Sequence, residues 1–311
     1  MMYTAFYQVV FALLPISAIG VVVNWIVVYS FLTIKNLQHS FGYLSANQAL
    51  ADAIHSSAFL FYFCPMVLLN QKIMKSYAAH LGFVILLSYE ISLHTHLVIS
   101  LNRSCAVWLP YSFSKIFSNR NTYIIIMAIW AIIGSLDIVM YACEFASVSI
   151  SSYNDGCSDI CPSVYNEDTN FMTFIDTDIC ALVGWYGDFL KNAFTIIVIT
   201  LIDLLTLIGV KWARQYAKHS SSSEKRLVER ERRFLKQVIF QGFVFLLELI
   251  TYFCVPMITE NPLAVFLATS FAFVAVHVLD GIIVVLCYSE VRAVLFCTKS
   301  NKNKISMSVK G

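Results

Sequence analysis

Seven stretches of this chain are long and apolar enough to cross a bilayer, and that limits its fold more than any other feature. They run over about 9–32, 43–68, 80–103, 121–143, 189–211, 235–258 and 263–287. A helix needs roughly 20 apolar residues to cross the hydrocarbon core, so each stretch reads as one transmembrane helix. The period-two alternation of a membrane barrel is absent over most of this length. Composition agrees, with 59% hydrophobic residues, 13% charged and a mean hydropathy of +0.72. A soluble domain carries roughly 25% charged residues, so the natural solvent of this chain is lipid. The opening residues MMYTAFYQ hold no basic region before the first apolar run, which therefore reads as an anchor that stays. The expected fold class is an all-α membrane protein, one seven-transmembrane helix bundle over residues 1–311.

Basic residues set the orientation. With the N-terminus outside, 18 of the 21 Lys and Arg fall on the inner side: Lys35, Arg103, Lys115, Arg120, nine between 211 and 236, and five from Arg292 to Lys310. Lys72, Lys75 and Lys191 fall outside. The positive-inside rule then predicts an extracellular N-terminus and a cytoplasmic C-terminus. The outer loop 144–188 is acidic and holds Cys157, Cys161 and Cys180. Extracellular thiols at such spacings usually pair, and one of the three must be left over or join Cys64 near the outer end of the second helix. The favoured pair is Cys161–Cys180, whose loop closure is worth ~3 kcal/mol in the chain-entropy model. Zinc is the rival chemistry, without neighbouring histidines to support it. The inner loop 212–234 is basic, and its second half has the period of a helix that extends the sixth span; Ser220 to Ser223 are candidate phosphorylation sites on it. The cytoplasmic tail 288–311 opens with a short peripheral helix over 289–297, where Cys297 is a candidate for palmitoylation.

Polar residues inside the spans need a reason, because a charge at the bilayer centre costs ~2.5–3.5 kcal/mol on insertion scales. The set is Asn24, Asp52, Glu90, His94, His96, Asp137, Asp203, Glu248, His277 and Asp280. Acids dominate it, and no Lys or Arg is expected at comparable depth. Asn24, Asp52 and Asp280 fall near mid-depth on helices one, two and seven, where a shared cluster would satisfy all three as interhelical glue or in an ion-binding or switching role. Glu90 and His94 share one face of helix three, either bonded to each other or lining a central cavity. His94 and His96 point in different directions. Arg103 ends helix three, and by itself is an arginine snorkelling from a helix terminus.

In order along the chain, Asn24, NQALAD at 47–52, Asn102-Arg103-Ser104 with Pro110 seven residues after Arg103, Trp130, Pro256 and Asp280-Gly281 stand at the spacings of a rhodopsin-like G-protein-coupled receptor. THLVISLNRSCAVWLP at 95–110, WYGDF at 185–189, FLKQ at 234–237 and HVLDG at 277–281 bring the chain closer still. It resembles the nematode chemoreceptors of serpentine receptor class x. The resemblance implies a small-molecule ligand and a heterotrimeric G protein as partners, in the lipid bilayer of the plasma membrane or a sensory cilium, with no cofactor and no nucleic acid. It puts Asn102, Arg103, Val107 and Pro110 at the G-protein end and makes Asn24, Asp52 and Asp280 an interhelical polar switch. Asp52 and Ser92 become sodium ligands, with His277 replacing a usual serine, and Glu90, His94, Trp185 and Tyr186 line a ligand pocket.

The departures from the family pattern carry expectations of their own. Asn102 replaces an acid, so Arg103 is expected to be loosely restrained at rest. Ala78 stands where the wider family anchors a disulfide, Cys254 where it has a toggle tryptophan and Val284 where it has a tyrosine. Residues 263–287 contain no lysine, which excludes a retinal Schiff base there, and Ile85 takes the place of the aspartate of amine receptors. A small hydrophobic environmental chemical fits best. The rival is a seven-helix ligand-gated channel or carrier of inverted topology, with the intramembrane acids lining a cation path; the charge count opposes it. No nucleophile–base set, metal motif or glycine-rich phosphate loop points to an enzyme.

Overall fold

The computed structural model describes residues 2–147, 161, 163–166, 171–174, 177–217 and 222–296. Seven helices in it are long and apolar enough to cross a membrane: Val9–Thr33, Ser40–Leu69, Ala78–Trp108, Asn119–Ile138, Cys180–Ala213, Gln237–Ile258 and Pro262–Cys287. They are called helices one to seven below. Helix three is the axis of the bundle, touching helices two, four, five and six, while helix one packs on two and seven. In its most apolar window 61% of residues are buried, against 11% for helix four at the rim. Ile124, Met127, Ile132 and Leu136 of helix four present their side chains outward, as lipid contact requires.

Local chemistry accounts for the helix ends. Asn261 caps helix seven by accepting from the Leu263 and Ala264 amides, with Pro262 in the first turn where its missing N–H costs nothing. His39 caps helix two through Nδ1, which accepts from the Gly42 amide at 3.2 Å. Helix three stops at Trp108 because the residue before Pro110 is pushed out of the helical region; Leu109 sits at φ −129°, ψ 52°. A short helix, Pro110–Ile116, follows. The helix carrying the sixth span runs over Ser222–Ile258, so the basic segment before that span is helical, as its period predicts. Ser220, Ser221, Cys157, Cys297 and the last residues of the tail lie outside the described residues.

Two features differ from the sequence reading. A β-hairpin, Ser163–Asn166 paired antiparallel with Phe171–Phe174, stands in the outer loop. Its Met172 is buried in the outer core beside Val10, Phe63, Leu81 and Phe266, and Tyr252 of helix six donates to the Met172 carbonyl at 3.1 Å. The other is the start of helix five, at Asp178 and not near 189, with a wider turn over Val183–Leu190 before the regular Lys191–Ala217 segment. An acid in the first turn suits a helix N-terminus. Cys180 in that same turn is bonded to Cys161, with Cα atoms 5.1 Å apart, which ties the loop to the early start of the helix.

The apolar core is divided. Val27, Phe31, Phe41, Leu44, Ile99, Val284 and Tyr288 fill the inner half, and Leu13, Phe59, Phe63, Leu81 and Phe266 the outer half. A third cluster, with Tyr89, Leu93, Ile196, Phe245 and Val276, joins helices three, five, six and seven. Between and beside these clusters lie the polar side chains.

Candidate functional site

The outer polar group centres on Glu90 of helix three, 4% exposed. Its Oε1 lies 2.7 Å from Lys191 Nζ and accepts from Asn192 Nδ2 at 3.0 Å, both on helix five. Asn192 Nδ2 also donates to Asp188 Oδ1 at 2.7 Å, one turn earlier. Tyr89, the neighbour of Glu90, donates from its hydroxyl to Glu248 Oε2 of helix six at 3.2 Å. The expectation that no Lys or Arg reaches this depth is therefore corrected. Because helix five starts at Asp178, Lys191 sits well inside it and not at its edge, and its ammonium meets the buried Glu90 carboxylate. Asn192 was not singled out from sequence, although its place four residues after Asp188 is a signal for a shared helix face.

His94 keeps its place near Glu90, with a correction to the bond. Its Nδ1 meets the Glu90 backbone carbonyl at 2.8 Å and the carboxylate Oε2 at 3.5 Å. The ring thus satisfies the helix as much as the acid. Trp185 packs edge-on to Phe189 at 5.2 Å and tilted against Phe253 of helix six at 5.7 Å, so it belongs to a helix five–six aromatic contact. Tyr186 is 64% exposed, and a side chain that open does not wall an enclosed pocket. The wide turn over 183–190 sets the two aromatics on different bearings from those a regular helix would give.

Deeper in the bundle, helices one, two, three and seven share a second polar group. Ser92 Oγ donates to Asp52 Oδ1 at 2.7 Å, and His277 Nδ1 lies 2.7 Å from the same oxygen. His55 lies against His277 with ring centroids 3.9 Å apart, and its Nδ1 reaches the Ile85 carbonyl at 3.3 Å and Ser88 Oγ at 3.2 Å. All of these side chains are buried. Asp52 and Ser92 do come together, but the set does not fit a sodium ion. A hard cation wants several oxygen ligands, whereas here Asp52 Oδ1 is already contacted by Ser92 Oγ and His277 Nδ1, and the third group is an imidazole nitrogen in place of an oxygen. Among the described residues no cluster of three His, Cys, Asp or Glu stands ready for a metal either.

Asn24, Asp52 and Asp280 do not bond one another directly. Asn24 Nδ2 donates to the His277 carbonyl at 3.1 Å, and Gln48 Nε2 donates to Asp280 Oδ2 at 2.8 Å while lying 3.5 Å from His96 Nδ1. His277 and Gln48 are the connecting groups that sequence reasoning left out of the switch. Gly281 makes the contact of helices one and seven possible, since a Cβ there would fall 2.3 Å from Asn24 Oδ1. A tie to helix four completes the layer. Trp130 Nε1 donates to Asn47 Oδ1 at 2.8 Å, and Asn47 Nδ2 donates to Thr95 Oγ1 at 2.8 Å.

At the inner end Asn102 Nδ2 donates to Ser40 Oγ of helix two at 3.1 Å. Arg103 is 5% exposed, with its guanidinium carbon 3.5 Å above the centre of the Phe41 ring. A buried aromatic face attracts a cation, so Arg103 has a neighbour on helix two although residue 102 is not an acid. Val107 packs on helix five at Gly209, where a Cβ would fall 2.6 Å from Val107 Cγ1. Pro110 is exposed, and the next residue, Tyr111, is 96% exposed. Helix seven ends at Cys287, and the peripheral helix Ser289–Leu295 follows. Arg292 Nη1 donates to the Val285 carbonyl at 3.3 Å and to that of Leu286, closing the helix seven C-terminus.

The comparisons with known proteins agree with this architecture. The chain matches the family described as serpentine type 7TM GPCR chemoreceptor Srx over residues 14–288. It is 27% identical to serpentine receptor class X 45 of Caenorhabditis elegans over 299 residues, covering 90% of this chain and 78% of that protein. It is 27% identical to serpentine receptor class X-43 of the same organism over 272 residues, covering 85% and 78%. The fold is similar to the crystal structure of squid rhodopsin, with a TM-score of 0.75 at 19% identity over 95% of this chain and 85% of that one. The chain thus belongs to the Srx family of serpentine seven-transmembrane G-protein-coupled chemoreceptors.

Proposed function

We propose that the chain is a multi-pass receptor of the plasma membrane, N-terminus outside, that detects a small environmental molecule and passes the signal to a heterotrimeric G protein. Family membership implies a ligand and G-protein coupling in general; the rest is argued from the residues. The observation that carries the reading is helix three, which buries polar side chains along its length, from Glu90 through Ser92, Thr95, His96 and Ser100 to Asn102 and Arg103. Such burial is costly and marks a path with a function. At its outer end, Glu90, His94, Asn192 and the Tyr89–Glu248 pair offer hydrogen bonds beneath a hairpin lid, beside an aromatic wall of Phe189, Phe245 and Phe253. Small-molecule sites are apolar with a few convergent polar groups of this kind. At its inner end Arg103 waits beneath Phe41, and Val107, Pro110 and the basic helix at 222–236 border the surface that meets the G protein. Ligand preference for an open inner end shifts the population toward coupling.

A chemical panel of small volatile and apolar compounds, screened in cells that carry the receptor and a promiscuous G protein, tests this reading. The expected result is a response that Arg103→Ala abolishes and Glu90→Gln shifts in dose, at equal surface expression. Active compounds whose dose–response is unmoved by Glu90→Gln, Asn192→Ala and Glu248→Gln alike would place the ligand elsewhere.

A further inference from the structure

We propose that Phe41 is the positioning residue of Arg103: its ring holds the guanidinium inside the bundle at rest and so sets the ligand-independent activity. The inference rests on the reading of Arg103 as the coupling group and adds what restrains it. The contact has the geometry of a cation–π interaction, with 3.5 Å from the guanidinium carbon to the ring centre. Both partners are buried, Arg103 at 5% and Phe41 at 2% exposure. A guanidinium taken out of water needs compensation, and an aromatic face is worth most where water is excluded.

The ring is itself fixed. Gly42 follows it, and a Cβ at that position would fall 1.8 Å from the Leu37 carbonyl oxygen, so the chain folds back tightly there. The other face of the surroundings is aromatic as well: the Tyr288 ring stacks on Phe41 at 6.2 Å and 28°, and meets Phe31 edge-on at 5.2 Å. Adjacent residues on the two helices pair in register, Ser40 with Asn102 and Phe41 with Arg103. The result is a two-point latch between the start of helix two and the end of helix three. Tyr288 lies between helix seven and the peripheral helix, so a shift of helix seven that moves Tyr288 loosens the ring. Arg103 is then released toward the inner surface.

Phe41→Leu keeps an apolar wall and removes the π face; Phe41→Tyr keeps the face. The test measures basal and maximal G-protein activation at equal surface expression, together with spin-label distances between the inner ends of helices three and six in purified receptor. Phe41→Leu is expected to raise basal activity roughly tenfold, with maximal activity retained and a larger open population, while Phe41→Tyr stays at the wild-type level. A merely structural role would lower expression and would not raise basal signalling. Unchanged basal activity and unchanged distances in Phe41→Leu would overturn the proposal, as would equal effects of Leu and Tyr. A larger open population without more signalling would support the restraint by Phe41 and overturn the coupling role of Arg103.

Discussion

Single contacts decide how closely the polar helices approach. Gly281 is the clearest, because a methyl there lands on Asn24 Oδ1 at 2.3 Å, and forced overpacking costs about 1–3 kcal/mol. Gly281→Ala is expected to lower the thermal unfolding temperature of purified receptor, whereas Gly134→Ala, with no atom within 4 Å of the added Cβ, leaves it unchanged. Equal unfolding temperatures for both variants would contradict the packing of helix seven on helix one. The Trp130–Asn47 bond gives a smaller effect: Trp130→Phe removes one interhelical donor, worth about 0.6 to 2 kcal/mol in a membrane. Residue identity made Asp52, Arg103, Pro110 and Trp130 legible in the sequence, because each has a fixed place in a spacing pattern. Their partners were not legible. Phe41 falls outside the expected second span, 43–68, and Gln48 stands unremarked inside NQALAD, since a sequence reports depth along a helix but not which neighbour a side chain meets.

Elements behave in the same way. Seven apolar runs identified seven helices, and the helical period of the basic segment extended the sixth one, which runs over Ser222–Ile258. The fifth was harder. Trp185 to Asp188 read as loop because Gly187 and Asp188 interrupt the apolar run, yet the helix starts at Asp178 and accommodates them in a wide turn. That shift brought Lys191 into contact with Glu90 and turned Tyr186 to an exposed position. The hairpin escaped because its four-residue strands are too short to show an alternation. Its attachment is testable: the Cys161–Cys180 bond ties it to helix five, and removing such a bond costs about 2–5 kcal/mol. Cys161→Ser is expected to speed amide hydrogen exchange over 163–174 and around 178–190, with the inner half of the bundle unaffected. Uniform acceleration throughout the bundle would contradict a local staple.

The whole molecule is a bundle whose two apolar halves are separated and flanked by polar groups, with helix three running through all of them. The proposed orientation rests on 18 of 21 basic residues on one side and predicts that an epitope tag at residue 1 stains intact cells; staining only after permeabilisation would revive the inverted topology of a channel. Coupling across the bundle is the claim that matters most. It is tested most directly by nucleotide exchange on a purified G-protein heterotrimer, driven by purified receptor in lipid nanodiscs with an active compound from the chemical panel. The account predicts compound-dependent exchange by the wild-type receptor, and an Arg103→Ala receptor that binds the compound with similar affinity but drives no exchange. Exchange by Arg103→Ala at the wild-type rate would contradict it.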